Sequence, residues 1–242
     1  NQCPFFNARN DLDESECIVA NHDLVMADLA LGGGAILPPP EDCIYIFDEG
    51  HRLGDTAVRH FGAECRINST LSWLERLPKQ IKGQTPIFAK DSTLSEQLPR
   101  IEKEATKIIE LLGLAYPLLK QHVDSSDHAE GRFRFAHGDV GTAIRDLALQ
   151  ITKATSGWLG RLEVLEDTLS EALSDKQYPV PLPDIELFYQ QAGNWLGRAE
   201  KLLALWDRLH KELQQNAVPM ACWMKLDEGI GGNIDISINA SP

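Results

Sequence analysis

The sequence predicts an α+β chain that is predominantly helical: a small α/β part followed by an antiparallel helical insert. Three observations predict it. Two short apolar runs bracket a helix near the start, long stretches with three- and four-residue apolar periodicity fill the middle, and two β-prone runs close the chain. The 242 residues, 43% of them hydrophobic, suffice for a real core in one large domain with an appendage. Three segments are expected: residues 1–68 as the α/β part, 69–218 as the helical block, and 219–242 as strands returning toward the first part.

Residues 4–15 carry Phe5, Phe6, Ala8 and Leu12 among polar neighbours and read as a helix. The run Cys17-Ile18-Val19-Ala20 reads as a buried strand, and Cys17 and Cys43 as small core residues. Asn21 is a suitable N-cap for a helix through Leu24, Val25, Ala27, Leu29 and Leu31, which Gly32-Gly33-Gly34 ends. Pro38-Pro39-Pro40 forces extended backbone. Cys43-Ile44-Tyr45-Ile46-Phe47 is then a continuous β-prone run of the kind buried on both faces of a parallel sheet. Asp48-Glu49-Gly50-His51 follows at its carboxyl end, where α/β folds gather their ligands.

Helical periodicity dominates from about residue 69 to 215. Leu98, Ile101, Ala105, Ile108, Leu112 and Ala115 make one stripe, with Thr93 and Glu96 as a capping box. A second helix or helix pair spans residues 140–173 through Ile144, Leu147, Ile151, Leu162, Leu165 and Leu169. Between the two, residues 124–139 are polar and read as a connection. The Pro179, Pro181 and Pro183 breaker precedes a third stripe, capped by Asp184, through Ile185, Phe188, Ala192, Trp195, Ala199, Leu202, Trp206 and Leu209. Residues 220–226 and 234–238 suggest a hairpin around Gly229 to Asn233.

The net charge of −13 argues against broad polyanion binding, so any nucleic-acid surface must be a local basic strip or lie outside this segment. Apolar runs are broken by charge well short of the roughly 20 residues needed to cross a bilayer, so no membrane role is implied. Five cysteines, at 3, 17, 43, 65 and 222, form no CxxC pair and suit a reducing cytoplasm. The chain opens at Asn1 without a signal-peptide pattern, which suits a piece of something longer.

A carboxylate pair at the tip of a rigid strand is what nucleoside triphosphate hydrolysis needs: one to engage the Mg²⁺ shell, here Asp48, and one to orient water, here Glu49. His51, one turn on, connects the pair to motions elsewhere. The G-x-x-x-x-G-K-[ST] phosphate loop is absent from this sequence, so the segment alone is not expected to hydrolyse ATP.

Cys3-Pro4-Phe5-Phe6 with Ala8-Arg9, then Val19-Ala20-Asn21-His22 with Leu24, then Asp48-Glu49-Gly50-His51, resembles in order and spacing the DinG-type branch of XPD-related iron-sulfur helicases. The resemblance implies an ATP-dependent 5′-to-3′ DNA helicase acting in repair or replication on single-stranded and forked DNA, with a monomer as the expected state. It assigns Cys3 as the last of four cysteine ligands to a [4Fe-4S] cluster; the other three are absent from this chain. It places a helical Arch domain where the helical block stands, and residues 1–68 in the iron-sulfur and first motor domains.

Within that block Lys79, Lys82, Arg100, Lys103, Lys107, Arg132, Arg134, Arg198 and Lys201 are the denser basic groups, and Trp158, Trp195 and Trp206 the aromatic ones. A solvated helix face explains each basic group as well as DNA does, and the periodic apolar neighbours of the three tryptophans favour core packing over base stacking. Two other readings stand beside the helicase: a metal-dependent phosphohydrolase built on His22, Asp23, Asp28, Asp48 and His51, and an acidic helical interaction module.

Overall fold

The computed structural model describes Leu12 and residues 15–124, 132–211, 220–228 and 234–241. It is predominantly helical, with one small antiparallel sheet of four strands. The chain divides into two compact units, residues 1–62 and residues 63–240.

In the first unit, α1 (His22–Ala30) starts where the sequence predicts: the Asn21 side-chain oxygen accepts from the Leu24 amide at 2.8 Å. Glycines at 32, 33 and 34 all take positive φ and stop it. At Gly33 a side chain would also run into the Pro40 ring, so this position needs glycine for space as well as conformation. Helix α2 (Leu53–Phe61) packs on α1.

The two expected buried strands of this unit are not found. Residues 17–20 and 43–47 form no ladder, and Val19, Ile44 and Ile46 are 96%, 93% and 91% exposed. Cys17 is exposed and Cys43 half-buried, not core. Apolar β-prone residues become strands only when neighbours satisfy their backbone, and the described residues of this unit supply none. The strand-helix-strand reading of this region is corrected to extended chain, helix, extended chain. The helix expected over residues 4–15 lies outside the described residues except for Leu12 and Ser15.

The second unit opens with β1 (Ala63–Arg66) and two short helices, α3 (Ile67–Leu74) and α4 (Leu77–Gln84). Three long helices follow: α5 (Ser92–Asp124), α6 (Thr142–Ser174) and α7 (Leu182–His210). Helix α6 lies in the middle, packed on both α5 and α7. Their predicted stripes are the core: Leu98, Ile101, Ala105, Ile108 and Leu112 of α5, Leu162, Leu165 and Leu169 of α6, and Phe188, Ala199 and Trp206 of α7 are all buried. The cap of α5 is Asp91, whose carboxylate accepts from the Leu94 amide at 2.8 Å, and not the Thr93 and Glu96 box. Glu96 instead pairs with Arg100 one turn on. Helix α7 begins two residues before Asp184 and has no side-chain cap. Asp184 lies in its first turn, where a carboxylate still favours the helix dipole.

The residues 132–134 expected in a polar connection form β2 (Arg132–Arg134). With β3 (Ala221–Glu228) and β4 (Ile234–Ser241) they complete a sheet of order β1-β4-β3-β2. β1 pairs antiparallel with β4, Cys65 opposite Ile238, and β2 with β3, Phe133 opposite Met224. Cys65, Cys222, Met224, Ile236, Ile238 and Ala240 turn one face into the helical core. Asp235, nearly inaccessible at the start of β4, accepts from the amides of Asn68 and Ser69 at 2.8 and 2.9 Å and from the Ser69 hydroxyl at 2.7 Å. The returning strand thus caps the first helix of the unit.

Candidate functional site

Asp48, Glu49 and His51 stand together at the end of the extended segment 43–47. The Asp48 carboxylate accepts from the Glu49 amide at 2.9 Å, leaving its second oxygen free of described protein partners. Glu49 sits at φ 51°, ψ 43°, a left-handed conformation uncommon for a residue with a side chain. Such conformations recur at functional sites, where surroundings hold them against their cost. The left-handed step turns the chain sharply into a 3₁₀ turn, Gly50–Arg52, closed by the Arg52 amide on the Glu49 carbonyl at 3.0 Å. His51 Nδ1 then lies 3.2 Å from Glu49 Oε2. Both side chains are about two-thirds exposed, so this pair contributes little to stability and is open to solutes.

Helix α1 touches the segment at one point and ties down the loop before it at another. At its start, the His22 ring meets Phe47 edge-on at 5.7 Å, and Tyr45 stacks on Phe47 at 6.0 Å. Near its end, the fully buried Asp28 carboxylate accepts from the amides of Ile36, Gly34 and Leu37 at 2.6, 3.0 and 3.3 Å. Burial alone raises its pKa; these amides and that of Ala35 outweigh it and hold the acid below its ordinary value. Asp23 faces α2 instead, with Arg59 at 3.3 Å and His60 at 3.1 Å.

This arrangement does not bring the phosphohydrolase ligand set together. His22 is engaged with Phe47, Asp23 with α2 and Asp28 with backbone amides, and no three metal-binding side chains converge among the described residues. Asp48 and Glu49 offer two hard carboxylate oxygens at solvent, suited to Mg²⁺ completed by phosphate and water. Cys3 lies outside the described residues. Of the described cysteines, burial pushes Cys65 up to about 12 and Cys222 up to about 11, which keeps both as thiols and unsuited to an iron-sulfur cluster.

The basic and aromatic candidates separate. Trp158, Trp195 and Trp206 are buried in the helical core and cannot stack on bases. Lys82 pairs with Glu102, Arg100 with Glu96, and Arg198 lies over the Trp73 ring at 4.7 Å. Lys79, Lys103, Lys107, Arg132, Arg134 and Lys201 are exposed and make no ion pair with a described residue. Sequence reasoning missed the Asp28 cradle and the grip of His22 on Phe47. Three glycines and three prolines after an aspartate on a helix hinted at a loop folding back, but which donors would reach it was not written in the spacing. Among the described residues no helix is long and apolar enough to cross a membrane.

No family model matches the chain. It is similar over almost its whole length to curated proteins called ATP-dependent DNA helicase DinG. That of Photobacterium profundum is 30% identical over 241 residues, 98% of this chain and 33% of the relative. That of Salmonella typhimurium is 29% identical, covering 92% of this chain and 30% of the relative, and that of Escherichia coli 28%, covering 95% and 31%. The chain spans about a third of the length of the relatives it matches.

Proposed function

We propose that this chain is a DinG-like segment of an ATP-dependent DNA helicase, carrying half of its ATP site and its helical Arch domain. The observation that carries the reading is the acid pair: Asp48 and a left-handed Glu49, presented to solvent at the end of a segment gripped by α1, in a chain similar to DinG helicases over 98% of its length.

In this reading Asp48 would hold Mg²⁺, which when bound would supply charge neutralisation to the nucleotide phosphates. Glu49 orients and polarises the attacking water. After the left-handed turn its carboxylate lies beside His51. His51, 3.2 Å away, competes for the same oxygen, so its release couples the water-binding carboxylate to movement of the following helix. The phosphate-binding loop comes from elsewhere in the parent protein. Cys3 is the one ligand this chain contributes to a [4Fe-4S] cluster, and residues 69–218 form the Arch beside which single-stranded DNA passes.

In the complete parent protein, Glu49→Gln is expected to lower ATP turnover roughly 100-fold while nucleotide binding largely survives. Unchanged turnover would sink the helicase reading and leave an interaction module. Cys3→Ser should remove the visible absorption of the cluster, and an unaltered spectrum would take Cys3 out of the ligand set.

A further inference from the structure

We propose that the β2 edge of the four-stranded sheet, on the face turned away from the helical core, is a contact surface for the backbone and bases of single-stranded DNA, formed by Arg132, Arg134 and Trp223. This rests on the helicase reading above and assigns part of its DNA path to particular residues.

The register sets the surface. Residues directly opposite in an antiparallel pair share a face, and Arg134 lies opposite Trp223, Arg132 opposite Lys225. Phe133 points the other way, opposite Met224, and packs with Phe135 at 5.0 Å and the His122 ring of α5 at 5.8 Å. The edge strand is therefore pinned from behind while both arginines project from the front. Two residues along a strand place like-facing side chains about 7 Å apart, comparable with the separation of successive phosphates in an extended single strand.

Charge selects the occupant. On the same face Arg66 pairs with Glu64 at 3.1 Å and Lys225 with Asp227 at 2.5 Å, so those cations are already answered. Arg132 and Arg134 are exposed and make no ion pair with a described residue. In a chain of net charge −13, Arg132 and Arg134 are two neighbouring guanidinium groups on one face of a strand, without an ion pair to a described residue. A polyanion with a planar π-face at each repeat matches them: phosphates for the arginines and a base against half-buried Trp223. The three tryptophans buried among the helices could not serve this purpose.

The test uses the full parent protein and a fluorescein-labelled oligothymidylate, with affinity followed by anisotropy across a salt series. The Arg132→Gln and Arg134→Gln double variant is expected to bind at least ten-fold more weakly at moderate salt. Its log-log salt slope should be shallower by about 1.4, the release of two contacts at ~0.7 each. Trp223→Leu should weaken binding roughly ten-fold with the slope unchanged, since stacking releases no counterions. An unchanged slope in a double variant that keeps the parent's circular dichroism and melting temperature overturns the proposal. So does an unchanged slope with new concentration-dependent aggregation, which would assign the arginines to protecting a bare sheet edge. If the unsubstituted parent binds no oligothymidylate, the helicase reading itself fails; if it binds and the variants bind as it does, this surface alone is wrong.

Discussion

At Asp28 a carboxylate is worth more as an acceptor than as a charge. It receives three amides of the loop that leads from α1 to the acid pair, and so ties that loop back onto the helix. Asp28→Ala should destabilise the first unit by about 2 kcal/mol, read by chemical denaturation with a probe in residues 15–62. Because its folded pKa is depressed, the stabilisation is complete above the ordinary value of 3.8 and is lost as pH falls below it. The acid limb of unfolding should therefore flatten in Asp28→Asn between about pH 4 and the start of global acid unfolding. At Glu49 the conformation is the unusual feature. Glu49→Gly relieves the left-handed φ and should preserve or slightly raise stability while abolishing turnover in the parent protein, a separation of fold from chemistry measurable in one preparation.

Helices α5, α6 and α7 show how far periodicity carries an element, and their caps show where it stops. The buried stripe of α6 runs unbroken from Ile144 to Ala172 because three- and four-residue spacing puts those side chains on one face, and both neighbours press on it. Leu162, fully buried in that stripe, should cost about 3 kcal/mol when replaced by alanine, as judged by thermal or urea unfolding. Helix α3 depends instead on a residue 166 positions away. Asp235→Ala strips the acceptor from two amides and a hydroxyl at its start, and about 2 kcal/mol of stability should go with it. Asp235→Asn, which keeps one acceptor oxygen, should lose less; equal losses would mean that the cap works through charge alone. Helix α5 continues through Pro99 and Pro117, residues that break isolated helices. Its stripe of buried leucines, isoleucines and alanines against α6 outweighs the lost backbone bonds.

At the scale of the whole molecule, the second unit has a four-stranded sheet packed on a continuous core, while the first has a helix pair and two bare extended runs. Amides of residues 43–47 should accordingly exchange with deuterium far faster than those of α6 in this chain, and gain protection in the complete parent, where the reading gives them strand neighbours. Equal exchange in both settings would count against a motor-domain role. The sequence by itself determined the parts whose physics is local. The 3.6-residue spacing specified the three long helices and the tryptophans they bury, Asn21 started α1, three glycines ended it, and Asp48-Glu49-Gly50-His51 singled out the candidate site. It also suggested strands at 17–20 and 43–47, because side-chain preference for a pleated surface is a property of the residues. Whether a strand exists depends on partners, and only the tertiary structure showed those runs unpaired and Cys17 exposed. Tertiary structure likewise decided that Arg132, Phe133 and Arg134 form an edge strand and not a loop, since three residues carry no period and pair only because β3 returns beside them. Asp28 and Asp235 were equally illegible as anchors. A buried carboxylate is defined by the donors folded around it, and those arrive from eight and 166 residues away.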